Sequence, residues 1–226
     1  MDALLDLVKV VYEPAAVFER VRERPRFLAP VLAVMLVSVA IGFLALPYVK
    51  AALAPVLAQA AAARGGTPPD VGKIAIGQIL FSAVVVPVFV ALVGGLLWVA
   101  VSLFGVDGRY RLLTSVAAYA SITYIVQLVA GLVVLSLRGV ESITSPLDLQ
   151  PAFGLDLLAP DATGFVGGVL RGINVFSVWG CALNGIGIAT THRTSKGTGY
   201  GAAAVAFAVT VLLLGLLGLL QPKPPS

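Results

Sequence analysis

A chain of 226 residues that is 59% hydrophobic and 12% charged, with a mean hydropathy of +1.00, carries too much apolar surface to fold as a water-soluble domain. Its formal net charge of +4 does not point to nucleic acid, because the 15 basic residues sit in short segments between apolar runs rather than in one tract. One cysteine and one histidine exclude an internal disulfide and any Cys/His metal cluster, so no metal or cofactor is expected.

Residues 1–26 read as a cytoplasmic amphipathic segment. Asp2, Asp6, Glu13, Glu19 and Glu23 interrupt it, so it is not expected to be a cleaved signal. Leu4, Leu7, Val8 and Val11 share one helical face. After Glu13-Pro14 restarts the helix, Val17, Phe18 and Val21 do the same, with Glu19, Arg20, Arg22, Glu23 and Arg24 opposite. Such a helix can lie in the headgroup plane, with Phe18, Arg22 and Arg24 as its interface residues, or dock against protein; the pattern fits both.

A membrane domain over residues 27–220 follows, with five runs long enough for a hydrocarbon core of about 30 Å. They are Phe27–Pro47, a stretch within Ile74–Phe104, Leu112–Leu137, roughly Phe165–Thr191, and Tyr200–Leu220. Pro87 is the expected kink in the long second run. Between the first two, Ala51–Ala63 is read as a helix continuing beyond the bilayer, ended by Gly65-Gly66-Thr67-Pro68-Pro69. The tail 221–226 is Pro-rich and expected to be disordered. The expected fold is all-α: a polytopic transmembrane bundle of five helices behind an N-terminal interfacial helix.

Lys9, Arg20, Arg22, Arg24, Arg26, Arg109, Arg111, Arg193 and Lys196 fall on one side of this layout. Lys50, Arg64, Lys73, Arg138, Arg171 and Lys223 fall on the other, in longer segments that also hold Glu141, Asp148, Asp156 and Asp161. Positive-inside bias places the N-terminus in the cytoplasm and the C-terminus outside.

No Asp, Glu, Lys or His lies inside the five apolar cores, which argues against a proton relay. Arg171, near the outer end of the fourth run, is expected to snorkel to the headgroups. Neutral polar residues form two stripes. Ser115, Tyr119, Thr123 and Gln127 recur at intervals of four in the third run, and Asn174, Ser177, Cys181 and Asn184 line one face of the fourth. Matching depth in antiparallel helices sets Tyr119 against Asn184, Thr123 against Cys181, and Gln127 against Ser177 or Asn174. These residues, with Trp179, are candidates for helix packing or a polar groove. Packing is favoured, each interhelical hydrogen bond being worth roughly 0.6 kcal/mol. Gly164-xxx-Gly168-xxx-Gly172 supports close backbone approach, within one chain or between two. Cys181 lacks a basic partner nearby in sequence, His192 reads as a solvated loop residue, and Gly105-Val106-Asp107-Gly108 reads as a turn without a phosphate-loop lysine. No catalytic residue is expected.

Three segments carry a resemblance. They are Glu13-Pro14-Ala15-Ala16-Val17-Phe18-Glu19-Arg20-Val21 with Arg24-Pro25, Gly105–Leu113 with Ala118-Tyr119-Ala120-Ser121, and Asn174–Trp179 with Leu183 and Gly185–Ala189. In this order they resemble prokaryotic Yip-domain proteins along nearly the whole chain. The resemblance implies a five-helix membrane domain with a cytoplasmic N-terminus. Eukaryotic members bind prenylated Rab-type GTPases, but their long N-terminal region and "DLYGP" segment have no counterpart here. Asn174 also stands where the family often has Asp. Rab-type GTPase binding is therefore not expected. The expectation is a non-enzymatic multi-pass protein of a bacterial plasma membrane, whose partners are the lipid bilayer and other membrane proteins or copies of itself. It would organise or shape the membrane or scaffold partners. The alternative is a small transporter, channel or lipid-handling protein using the polar stripe as a groove.

Overall fold

A computed structural model describes residues 2–220; the expected tail, 221–226, lies outside the described residues. Ten helices follow in chain order among them: α1 (Asp2–Lys9), α2 (Pro14–Glu23), α3 (Leu28–Leu44), α4 (Leu46–Ala63), α5 (Val71–Leu103), α6 (Tyr110–Ala120), α7 (Ile122–Arg138), α8 (Gly164–Gly172), α9 (Val175–Thr191) and α10 (Lys196–Gly218). Single 3-10 turns at Val140–Ser142, Pro146–Leu149 and Leu155–Leu158 fill the long segment before α8.

Four stretches are long and apolar enough to cross a membrane: Leu46–Ala63, Val71–Leu103, Tyr110–Arg138 and Lys196–Gly218. At most 33% of each apolar window is buried inside the protein, so the remaining surface calls for a lipid solvent. By length and composition these four differ from the five expected runs in two ways. α4, read from sequence as a helix beyond the bilayer, qualifies by composition. α3 and α9, with 17 residues each, fall short on length.

Local chemistry explains the interruptions. Pro47 lacks an N–H and sits comfortably in the first turn of α4, so the helix restarts after Ala45. The expected fourth run is broken at Ile173 (φ −101°, ψ 87°), where Asn174 caps a new helix. α5 keeps Pro87 inside one continuous 33-residue helix.

The chain divides into two compact units. One holds residues 34–87 and 125–151. There α4 packs on the turns at Val140–Ser142 and Pro146–Leu149, around buried Ala52, Leu135 and Ile143. Asp148 accepts from the backbone N–H groups and hydroxyls of Thr144 and Ser145. Burial opposes its ionisation, but these four donors prevail and hold the carboxyl below its usual range.

The other unit holds residues 1–33, 88–124 and 152–226, of which 2–33, 88–124 and 152–220 are described. Here α10 lies against α8 and α9, α6 lies against α9, and α2 packs on α9 and α6. Glycines set these distances. A Cβ on Gly168 would overlap the carbonyl of Leu214 and come within 2.9 Å of the Gly215 Cα, and one on Gly218 would overlap the Gly164 carbonyl. On α9, a Cβ on Gly185 would meet the Tyr200 ring at 2.5 Å, and one on Gly187 would overlap Val116. The Gly164/Gly168/Gly172 ladder thus finds its partner within the chain.

Candidate functional site

Half of the stripe residues bond to backbone close to them in sequence: Ser115, Thr123, Asn174 and Ser177. Ser115, fully buried on α6, donates to the Arg111 carbonyl, and Thr123 donates to that of Ala120. These are bonds to the preceding helical turn, which take a hydroxyl out of interhelical contact. Tyr119 is buried, and Thr123 Oγ1 lies 3.0 Å from where a Cβ on Gly180 would stand. The Val116–Gly187 and Thr123–Gly180 contacts share one antiparallel register, which brings Tyr119 level with Asn184. Cys181, Trp179 and Asn184 are half-buried on α9, and Asn184 Oδ1 has no hydrogen-bond partner among the described residues. Gln127, also half-buried, belongs to the other unit.

Asn174 and Ser177 have a task of their own. Asn174 Oδ1 accepts from the backbone N–H groups of Phe176 and Ser177, each at 3.0 Å, while its Nδ2 donates to the Arg171 carbonyl. The Ser177 hydroxyl accepts from the Asn174 N–H at 2.9 Å, which completes a capping box. A two-residue bridge pairs the Asn174 region with Gly154, and Phe153 meets Phe176 edge-on at 5.3 Å. Replacing Asn174 with Ala is expected to lower stability by about 1–2 kcal/mol, read as a lower melting midpoint in detergent. Asn174→Asp keeps the acceptor but loses the donor to Arg171, so it should recover only part. A midpoint for Asn174→Ala equal to wild type would contradict the cap.

The N-terminal helices divide between the two readings that the sequence leaves open. Phe18, expected at the membrane interface, is fully buried with Val17 and Val21, its ring beside Gly187 of α9. The apolar face of α2 therefore meets protein. On α1 and the turn after it, Leu4, Leu5, Val8, Val11 and Tyr12 remain exposed, while Leu7 and Val10 turn inward. Arg20 donates to Asp6 at 2.6 Å and ties the two helices together. The Asp6 carboxylate pushes the Arg20 pKa up, although such a half-exposed pair adds little stability. Arg24 is exposed. Arg171 is half-buried and reaches the Ala162 carbonyl at 3.5 Å, in the loop before α8.

A feature that sequence reasoning misses lies where α2, the α5–α6 turn and the α9–α10 turn converge. Arg22, Asp107, Arg109, Thr191, His192 and Arg193 line an open cavity of about 420 Å³. Arg22 reaches the Thr190 carbonyl at 3.4 Å, near the end of α9. The Thr191 hydroxyl donates to the Gly187 carbonyl at 2.6 Å, so its oxygen is free to accept from His192 Nδ1 at 2.9 Å. That assigns the imidazole proton to Nδ1 and leaves Nε2 to accept the Arg109 N–H at 3.4 Å. Burial, then the Arg109 guanidinium, hold the His192 pKa below the usual imidazole range. The signal in the sequence is that all three segments fall on the side read as cytoplasmic.

A model of the Yip1 domain matches residues 8–219 of the chain. The chain is also similar to "Membrane protein YknW" of Bacillus subtilis (strain 168), 25% identical over 222 residues that cover 95% of this chain and 90% of the relative. No solved structure matches.

Proposed function

Because the chain belongs to the Yip1 domain family, we propose that it is a non-catalytic integral membrane protein that organises or shapes a bacterial plasma membrane or scaffolds partners within it. The observation that carries this reading is the way the third/fourth-run stripe is used. The Ser115 and Thr123 hydroxyls bond to the turn before them and Asn174 caps α9, while glycines hold α9 on α6 and α10. A passage needs polar groups turned toward water, and here Ser115, Thr123, Asn174 and Ser177 are engaged within the chain.

The proposed topology crosses the membrane five times, through α3, α5, α6–α7, α8–α9 and α10, with the N-terminus in the cytoplasm. Three basic segments that line one cavity support a shared face for them. The packing of α4 on the turns at Val140–Ser142 and Pro146–Leu149 supports a shared face for those. In this arrangement α4 lies outside the hydrocarbon, and tilt or local thinning accommodates the short α3. The exposed apolar side of α1 is the proposed interfacial face, moved from α2 to its neighbour. The bilayer is the first partner; self-association or other membrane proteins are the next.

Cys181, the single cysteine, gives the test. In intact vesicles it is expected to resist both a membrane-permeant and an impermeant thiol reagent, and to react once detergent unfolds the protein. Rapid reaction with the impermeant reagent would put water in the middle of the stripe and replace the scaffold reading with that of a transporter.

A further inference from the structure

We propose that the cavity between α2, the α5–α6 turn and the α9–α10 turn is a binding site for a phosphoryl anion, held by the guanidinium groups of Arg22, Arg109 and Arg193. This goes beyond the scaffold reading and does not depend on it.

Three arginines from three separate segments line one open cavity with a single carboxylate, Asp107. Among the described residues none of the three takes part in an ion pair, whereas nearby Arg20 is matched to Asp6. Three cations gathered around one carboxylate still repel one another, and an anion between them removes that repulsion. All three are arginine, whose planar fork matches the oxygens of a phosphoryl group in a way that a lysine ammonium does not. The volume of about 420 Å³ admits such a group with its substituent.

Arg193 adds an independent observation. It follows the end of α9 with φ +50°, and it is the one non-glycine residue with positive φ among the described residues. The Thr194 N–H closes the helix end on the Ala189 carbonyl at 3.1 Å, a turn that glycine fills without steric conflict. An arginine there works against the backbone, so its side chain is the reason for its presence. His192 sits beside it as a neutral acceptor toward Arg109, where it would sense the charge of any bound anion.

A phosphoryl group could come from a lipid headgroup or from a soluble phosphate compound, and the test separates them. His192 is the only histidine, so tag-free protein in a phosphate-free detergent gives a single imidazole signal by nuclear magnetic resonance. Inorganic phosphate is added in one arm and phosphatidylglycerol in the other. Sodium chloride at equal ionic strength and phosphatidylcholine serve as the respective controls. The expected result is a saturable rise of the His192 midpoint by about one pH unit, because a bound anion favours the imidazolium. Half-saturation should need about tenfold more ligand in Arg109→Gln and in Arg193→Gln. Arg109→Lys should lie between. Both glutamine variants change exposed side chains, and an unchanged circular dichroism melt confirms their folding. Saturation by phosphate identifies a soluble ligand; saturation by phosphatidylglycerol alone identifies a headgroup. No saturable rise in either arm, or equal half-saturation in wild type and both variants, overturns the site.

Discussion

Valine at Gly168 is expected to separate α8 from α10 and to lower stability by about 3 kcal/mol or more, read as a loss of the folded peak in size-exclusion chromatography or a much lower melting midpoint. The reason is what the new atoms would strike. A Cβ at Gly168 meets the Leu214 carbonyl and the Gly215 Cα, which are backbone and have no alternative rotamer. Neighbouring contacts allow no compensating slide, since Gly218 faces the Gly164 carbonyl and Gly215 faces Phe165 and Val169 at 2.8 Å. In lipid there is no hydrophobic force to restore a loosened pair, so the loss of close packing is not offset. Gly77→Ala and Gly131→Ala are the matched controls. A Cβ at either position meets nothing within 4 Å, and alanine is the better helix former. Equal melting of Gly168→Val and wild type would mean that α8 and α10 do not meet in this way.

Phe18→Ala is the second large effect, expected to cost about 3–5 kcal/mol as a buried ring is replaced by a cavity. Phe18 is fully buried beside Gly187, where α9 also receives Val116 of α6, so its loss loosens three helices at one point. The outcome separates two uses of the N-terminal helices. An aromatic residue at the lipid surface can be removed with little change in melting, at the expense of membrane affinity. Leu5→Ala, on the exposed side of α1, should behave in that second way. If Phe18→Ala melts like wild type and only partitions less well, α2 rests on lipid and its packing on α9 is wrong.

Most of the helices can be read from the sequence because lipid demands length and apolarity together. α5, α6–α7 and α10 fall on their apolar runs for that reason, and α3 by apolarity alone. α4 shows the limit of that signal, since Ala-rich composition satisfies it whether or not the segment crosses. The break between α8 and α9 was legible in kind: Asn174 followed three residues later by Ser177 is a capping pattern. The same two residues also fit a polar stripe, and only the backbone geometry at Ile173 decides between the two. The glycine ladder was legible as a close-approach surface, but spacing within one helix does not say which helix approaches. Depth counting set Thr123 one residue from Gly180, the position its hydroxyl meets, because the two helices pack in an antiparallel register. The cavity was the least legible feature. Arg22, Arg109 and Arg193 are 84 or more residues apart in sequence, and each alone is an ordinary residue of a basic segment.

The glycine seam along α8 and α9 also orders events in the life of the chain. α8 has nine residues, about 13 Å of helix, and could not span a bilayer unaided. The surface that it and Gly185 of α9 fit belongs to α10, which leaves the ribosome after both. Until synthesis has passed Gly218, Gly168 and Gly172 of α8 and Gly185 of α9 therefore wait uncovered, open to any other small-residue helix in the membrane. α10 is the helix that ends this exposure, so the unit cannot close before Gly218 has been made.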